Sequence, residues 1–326
     1  MAILRSCAKL LAVICLASVA NGWAQNYPVK VVRYLVPSSA GSGGDVIARI
    51  VAAGLSEVFG QQVIVDNRAG AAQNIGAEIA ARAPADGYTL LNVSSTLTAN
   101  VSLYRDLRYD LARDFAPVTQ LVLSPHVVVV HPSLPVKSIG DLVGLAKAKP
   151  GAINYASGGF GGATFVPAEL FKWMAGVNLL HVPYKGGGPA LTAILSGEIS
   201  VYFAPLATVL PHIRQGRLRA VAVTSAQRFP LLPELPTVAA AGVPGYDFSN
   251  WFGLMVPIKT PTGTITLIHR AIVTALNKPD VGKRLNDLGC VPVGNQPEEF
   301  AAYIKTEIAI LAELFRKLGV TPMSYD

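Results

Sequence analysis

The chain has 326 residues, is 51% apolar and only 14% charged, and sets 27 Lys and Arg against 20 Asp and Glu. A chain of this size buries roughly three quarters of its unfolded surface, so apolar packing alone can build the core and two domains are expected. The positive excess is mild and its Lys and Arg are scattered without a basic arm, which argues against a nucleic-acid partner and suits steering of a small anion.

The N-terminus reads as an export signal. Arg5 and Lys9 precede an uncharged, mostly apolar run over 10–20. That run has the length of a signal-peptide core and falls short of the roughly 20 apolar residues a membrane span needs. Gly22 and Ala24 place small residues before a cut after Ala24, giving a signal peptide over 1–24, and Ala20 with Gly22 offers a second site. Ala12-Val13-Ile14 ahead of Cys15 lacks the small residues of a lipid-attachment site. Cys7 and Cys15 leave with the signal and only Cys290 stays, so neither an internal disulfide nor a cysteine metal cluster is expected.

Strand and helix patterns then alternate. A β-rich run over 29–36 ends at Pro37, a glycine-rich turn fills 38–44, and apolar residues at helical spacing from 45 stop at Gly60. A short strand over 63–65, a helix over 71–83 and a strand over 88–93 follow. Two apolar runs over 118–130 are broken at Ser124-Pro125. Ser138 caps a helix to 148, and strands over 153–156, 179–182, 199–203 and 218–223 alternate with helices ending near 175, 197 and 215. A later strand over 251–256 and helices over 262–277, 280–288 and 297–318 close the chain. Such alternation implies parallel or mixed sheets with helices on both faces. No long linker separates two sequential domains, so the chain must cross between them twice. The first crossing is placed at Ser124-Pro125 and the return between 245 and 251. This gives one domain over 25–125 with 251–326 and a second over 126–250.

Three turns rich in glycine or hydroxyl residues follow strand-like runs: Ser38, Ser39, Ala40, Gly41 and Ser42; then Ser94, Ser95 and Thr96; then Ser157, Gly158, Gly161, Gly162, Ala163 and Thr164. The first and third precede helices, as does the run from Gly186 to Gly188. In open α/β sheets ligands sit at the carboxyl ends of strands, and a helix N-terminus offers N–H groups to an anion. These turns are therefore candidates to hold a carboxylate with neutral donors. The first turn is not a dinucleotide fingerprint, because Val46 stands where the third glycine belongs, and no phosphate loop appears. No nucleophile elbow or paired metal-binding histidines are present, so no catalytic residue, metal or cofactor is assigned. His131 and His181 end β-rich runs and are candidates to face a cleft, and Trp251, Phe160, Phe165 and Tyr184 are candidate pocket walls.

These motifs resemble a known family. Tyr34-Leu35-Val36-Pro37 with Gly41, Asp45 and Ala48-Arg49 looks like its opening motif, and Asp66-Asn67-Arg68-Ala69-Gly70-Ala71 is similar to a second element. Pro84-Ala85-Asp86-Gly87-Tyr88-Thr89-Leu90, Val182-Pro183-Tyr184-Lys185-Gly186 and Trp251-Phe252-Gly253 match others. The family is the Bug receptors, periplasmic substrate-binding proteins of tripartite tricarboxylate transporters. The resemblance implies a two-domain type II periplasmic binding fold that closes on its ligand, no catalysis, and no cofactor. It implies a small carboxylate held by the three turns, delivered to two integral membrane transporter subunits; presentation to a membrane sensor kinase is the alternative, and a two-domain α/β enzyme a third. Three departures bear on the ligand. The first turn reads Ser38-Ser39-Ala40-Gly41-Ser42 where an aromatic, a proline and paired glycines are usual, Phe165 stands where the family often has His, and Ala204 stands where many members have an Asp that meets an ammonium. A carboxylate without an amino group is therefore expected, aromatic ones first.

Overall fold

The computed structural model describes residues 27–159, 161–184 and 186–325. The proposed signal peptide, Phe160 and Lys185 lie outside the described residues. β1 (Val32–Val36) leads into α1 (Gly43–Phe59), β2 (Val63–Asn67), α2 (Asn74–Ala81), β3 (Thr89–Ser94), α3 (Ser95–Leu103) and a short β4 (Tyr104–Arg105). The long β5 (Phe115–Val130) follows, then α4 (Ile139–Ala148), β6 (Asn154–Ser157), α5 (Val166–Ala175), β7 (Leu180–Pro183), α6 (Gly187–Leu195), β8 (Val201–Pro205), α7 (Leu206–Arg214) and β9 (Arg219–Val223). The chain returns through β10 (Ser249–Pro257) and ends in α8 (Thr262–Leu276), α9 (Pro279–Asp287), β11 (Val291–Pro292), α10 (Pro297–Lys317) and β12 (Met323–Ser324).

The main sheet runs β2-β1-β3-β10-β5-β8-β6-β7, with β9 and β11 also paired to β5. β5 carries no break at Ser124-Pro125. Its ladder changes partners there: Phe115 to Pro125 face β10, whereas His126 to Val130 face β8 and β9. One 16-residue strand thus belongs to two lobes. In the first lobe one sheet face is covered by α1, α8 and α9 over Val32, Ile50, Leu55, Leu254 and Ile272, and the other by α2 and α10. In the second, Val128, Phe171 and Phe203 pack on one face and Val129, Ile194 and Tyr202 on the other, as the alternation of a strand buried on both sides requires.

α1 shows how local sequence sets these elements. Ile47, Ile50, Val51 and Leu55 make its buried stripe, Ser42 caps its start, and Gly60, at φ 63°, ends it in the left-handed conformation. α10 starts with a capping box between Gln296 and Glu299. Its Phe300 and Ile304 pack in the first lobe, whereas Leu311, Leu314 and Phe315 pack in the core of the second. The Phe300 ring lies so close to Gly253 that a Cβ there would come within 2.2 Å of it, so the glycine lets α10 dock on β10. The helix expected from 71 starts only at Asn74, because Ala71, Ala72 and Gln73 take positive φ. α3 was not expected, since its apolar residues do not gather on one face.

Candidate ligand-binding site

The turn after β1 is closed upon itself. Asp45, 2% exposed, accepts from the Gly41 N–H at 2.8 Å, from Asn67 Nδ2 at 2.9 Å and from Arg49 Nε at 3.0 Å. Burial by itself raises its pKa, but the bonds from Arg49, Gly41 and Asn67 outweigh it and hold the carboxyl below the usual range. Ser38 and Ser42 share a hydroxyl contact of 2.7 Å, and Ser42 also accepts from the Asp45 N–H. The anion that the N-terminus of α1 attracts is therefore the chain's own carboxylate. Ser39, Ala40 and Gly41 are exposed at the rim of this turn.

The turn after β3 is different. Ser94 is the N-cap of α3, yet no side chain caps that helix. Ser94 Oγ donates instead to Gln73 Oε1 at 2.9 Å, and Ser95 Oγ donates to Asn250 Oδ1, on the strand returning from the second lobe. Thr96 enters neither tie and stands at the open end of the helix. Asn250 and Gln73 were missed in the sequence, where nothing links residues that far apart.

In the second lobe, Ser157 Oγ contacts His181 Nε2 at 2.7 Å, and the Gly158 N–H donates to Thr164 Oγ1 at 2.8 Å. His181 is sandwiched by Tyr155 and Phe165, each with ring centroids 4.9 Å away. Burial lowers its pKa, so a neutral imidazole orients Ser157. A Cβ on Gly158 would come within 2.9 Å of the Gly187 nitrogen, so two glycine turns meet backbone to backbone here. Gly162 N–H donates to Gly159 O, and Gly162 O accepts from Phe165 N, which folds the loop into α5. Gly161, at φ 71°, presses on Leu103 of α3: a Cβ there would lie 2.7 Å from that side chain.

The lobes thus meet where the second and third turns face each other. Ser95, Thr96 and Ala99 from α3 and Gly161, Ala163 and Val166 from the second lobe line one cavity with Phe248, Glu307 and Leu311. Its volume is about 10 Å³, room for roughly one water. Among the described residues, Ser38 to Ser42 line no part of it. Three other candidates lie behind the surface. Phe165, 3% exposed, is in the core of the second lobe, Ala204 is buried on β8 opposite Val127, and Trp251 is fully buried between Phe300 and Tyr303. Trp251 Nε1 donates to Glu307 Oε1 at 2.8 Å, and Thr98 Oγ1 lies 2.6 Å from Glu307 Oε2. Among the described residues no three His, Cys, Asp or Glu side chains are grouped to hold a metal ion.

Two α/β lobes sharing a long strand and meeting at hydroxyl- and glycine-rich turns define a solute-binding protein of the two-domain periplasmic type. Residues 47–320 match the model of the tripartite tricarboxylate transporter family receptor, and the chain belongs to that family. It is 36% identical over 298 residues to Protein BugT of Bordetella pertussis, spanning 91% of each chain. A Rhodopseudomonas palustris protein solved with adipate is 36% identical with a TM-score of 0.77, over 91% of this chain and all of that one. MatC of the same organism, solved with bound malate, is 29% identical with a TM-score of 0.72, over 88% of this chain and 99% of that one. The family is one of transporter receptors, and the neighbours include the periplasmic binding protein BugD, 31% identical with a TM-score of 0.74 over 91% of this chain and all of that one, so the chain is a receptor and not an enzyme.

Proposed function

We infer that the protein is an exported receptor that captures a small dicarboxylate between its lobes and delivers it to the two membrane subunits of a tripartite tricarboxylate transporter. The observation that supports this reading most is the open N-terminus of α3, with Thr96 and Ser95 facing Gly161 and Ala163 across the lobe junction. A helix end without its own cap offers N–H groups and a favourable dipole to an incoming carboxylate. Neutral donors leave release possible, as a transport receptor needs. The relatives solved with adipate and malate support a linear dicarboxylate. The junction holds about 10 Å³, so a ligand of several carbons enters only when the lobes part.

In this reading the moving bodies are 25–125 with 251–326 and 126–250, and the three turns line the cleft. Ser38 to Ser42 form its rim, and Ser157, Gly158, Gly162 and Thr164 shape its far wall. Phe165, Ala204 and Trp251 support that wall from behind. Ala204 supplies no acid to meet an ammonium, and the Glu307 carboxyl that lines the junction is already engaged by Thr98 and Trp251. A buried charge without a partner is costly, so adipate and malate are expected to bind ahead of glutamate. Removing a donor to a charged group costs about 1.5–3 kcal/mol, or roughly ten- to a hundredfold in affinity. Calorimetry with adipate, malate, an aromatic dicarboxylate and glutamate on the wild type, Ser95→Ala and Thr96→Val tests this. Unchanged affinity in both variants would move the site elsewhere, and a preference for glutamate would refute the reading of Ala204. Export is checked by N-terminal sequencing of the periplasmic protein, which should begin at Gln25 or Trp23; an intact Met1 in the membrane fraction would reject it.

A further inference from the structure

Glu307 occupies the junction of three elements. It sits on α10, the helix whose two ends pack in different lobes, and its carboxyl joins Thr98 of α3 to Trp251 of β10. It lines the small cavity beside Ser95 and Thr96, and it also lines a larger groove of about 620 Å³ on the other side, between α5 and α10. Of the residues shared by both spaces, Val166, Phe248, Glu307 and Leu311, only Glu307 can ionise.

The hydrogen count at Thr98 distinguishes the two states of this carboxyl. Thr98 Oγ1 lies 2.8 Å from the Ser95 carbonyl and 2.6 Å from Glu307 Oε2. A threonine hydroxyl has one proton and cannot donate to two acceptors at once. If Glu307 carries a proton on Oε2, that proton goes to Thr98, the Thr98 proton goes to Ser95 O, and Trp251 Nε1 donates to Oε1. Every contact is then satisfied. If Glu307 is ionised, the Thr98 proton turns to the carboxylate and Ser95 O loses this second bond, keeping only that of the helix ladder in the first turn of α3.

We propose that Glu307 is a proton-linked positioning residue of the receptor: protonated, it locks the ligand-facing turn of α3 to the strand that joins the lobes, and on ionisation it loosens that turn and weakens the captured carboxylate. This rests on the reading of Ser95 and Thr96 as ligand-facing residues. The surroundings favour the proton. Burial raises the Glu307 carboxyl, the bonds from Thr98 and Trp251 pull it part of the way back, and the nearby Asp247 charge adds to the rise, so that it is pushed up to about 7 in all. Asp247 stands on the segment leading into β10 and accepts from the Ala226 N–H of the second lobe, and Tyr303, one turn before Glu307 on α10, has its hydroxyl pKa raised by burial and then by the Glu307 charge. The second-lobe residues lining the small cavity, Gly161, Ala163, Val166 and Phe248, bring no charge. The large groove, lined by both Asp247 and Glu307, connects the carboxyl to solvent for proton exchange. Two ionised acids held by different lobes would repel, which again favours opening.

Two readings test this. In ligand-free protein, the indole N–H resonance of Trp251, assigned with Trp173→Phe, should titrate with a midpoint near 7, and the Ser95 and Thr96 amides should move with the same midpoint. Glu307→Gln should flatten all three, because its amide donates to Thr98 and accepts from Trp251 as the acid does. Adipate affinity should fall about two- to tenfold from pH 6.5 to 8.5, the range that one hydrogen bond spans. Glu307→Gln should keep the tight affinity throughout, and Asp247→Asn should move the midpoint down. A flat wild-type profile in which Thr96→Val still weakens adipate, or the same pH profile in Glu307→Gln, would overturn the proposal. Adipate affinity indifferent to Thr96→Val at every pH would instead overturn the site reading beneath it.

Discussion

The turns before α1 and α3 have similar sequences, runs of small and hydroxyl residues between a strand and a helix, yet their chemistry is opposite. Before α1, the Asp45 carboxylate takes the place an anion would occupy and is held by Gly41, Asn67 and Arg49. Before α3 no side chain caps the helix, and the hydroxyls of Ser94 and Ser95 bond Gln73 and Asn250 while leaving the helix N–H groups uncapped. One helix N-terminus spends its positive end on the fold, and the other carries no side-chain cap, which is why we propose it as the ligand's end. Composition cannot distinguish the two; what lies three residues into the helix does. Asp45 stands there in α1, and Leu97 stands there in α3.

The largest effect expected from this contrast is on stability. Asp45→Asn weakens three charge-assisted bonds in a buried setting and should cost about 1.5–3 kcal/mol, read from the urea midpoint at constant slope. A loss below about half a kcal/mol would mean the first turn does not depend on its internal anion. Gly158→Ala should cost about 1–3 kcal/mol, because the new Cβ meets the Gly187 backbone, which cannot give way. Gly41→Ala has open space but a φ of 79°, so it should cost about 1 kcal/mol, through backbone strain alone. If Gly41→Ala proves costlier than Gly158→Ala, close packing of the third turn is not what its glycine provides.

Titration should separate two carboxyls of the first lobe by sign. Asp45 lies below the ordinary Asp range, so its stabilisation is present above about pH 3.9 and is lost as the pH falls through its folded value. Glu307 is held protonated to about 7 in the folded chain, whereas the unfolded chain releases that proton near about 4.3. Its stabilisation is therefore full below that lower value and is lost as the pH rises towards 7. Urea midpoints from pH 3 to 8 should show Asp45→Asn removing part of the acid-side loss and Glu307→Gln removing part of the decline between about 4.5 and 7. The same slope in Glu307→Gln as in the wild type would place that decline elsewhere.

Much of the architecture is legible in local sequence because it depends on local rules. The Gly60 stop, the Ser138 cap and the alternation of β-rich and helical runs each act within a few residues, and the two-lobed fold class follows from them. α3 is not legible, because Ser95 to Leu103 has no apolar stripe; its residues are buried on several sides, between the lobes and under α10. β5 reads as two runs because Ser124-Pro125 resembles a breaker, but the pair lies where the strand exchanges one ladder for another. Phe165, Ala204 and Trp251 are conspicuous as single residues, while their burial is a property of packing. The partners of the site are the least visible: Glu307 reaches Thr98 across 209 positions and Ser95 reaches Asn250 across 155.

The central claim is that the carboxylate is captured at the open end of α3 and not at the self-filled end of α1. Calorimetric titration of adipate into the wild type, Thr96→Val and Asp45→Asn, each shown to be folded, tests it most directly. The expected result is roughly a ten- to hundredfold loss in Thr96→Val with its urea midpoint unmoved, and affinity near wild type in Asp45→Asn despite its lower stability. Loss of adipate binding in Asp45→Asn with full affinity in Thr96→Val would contradict it.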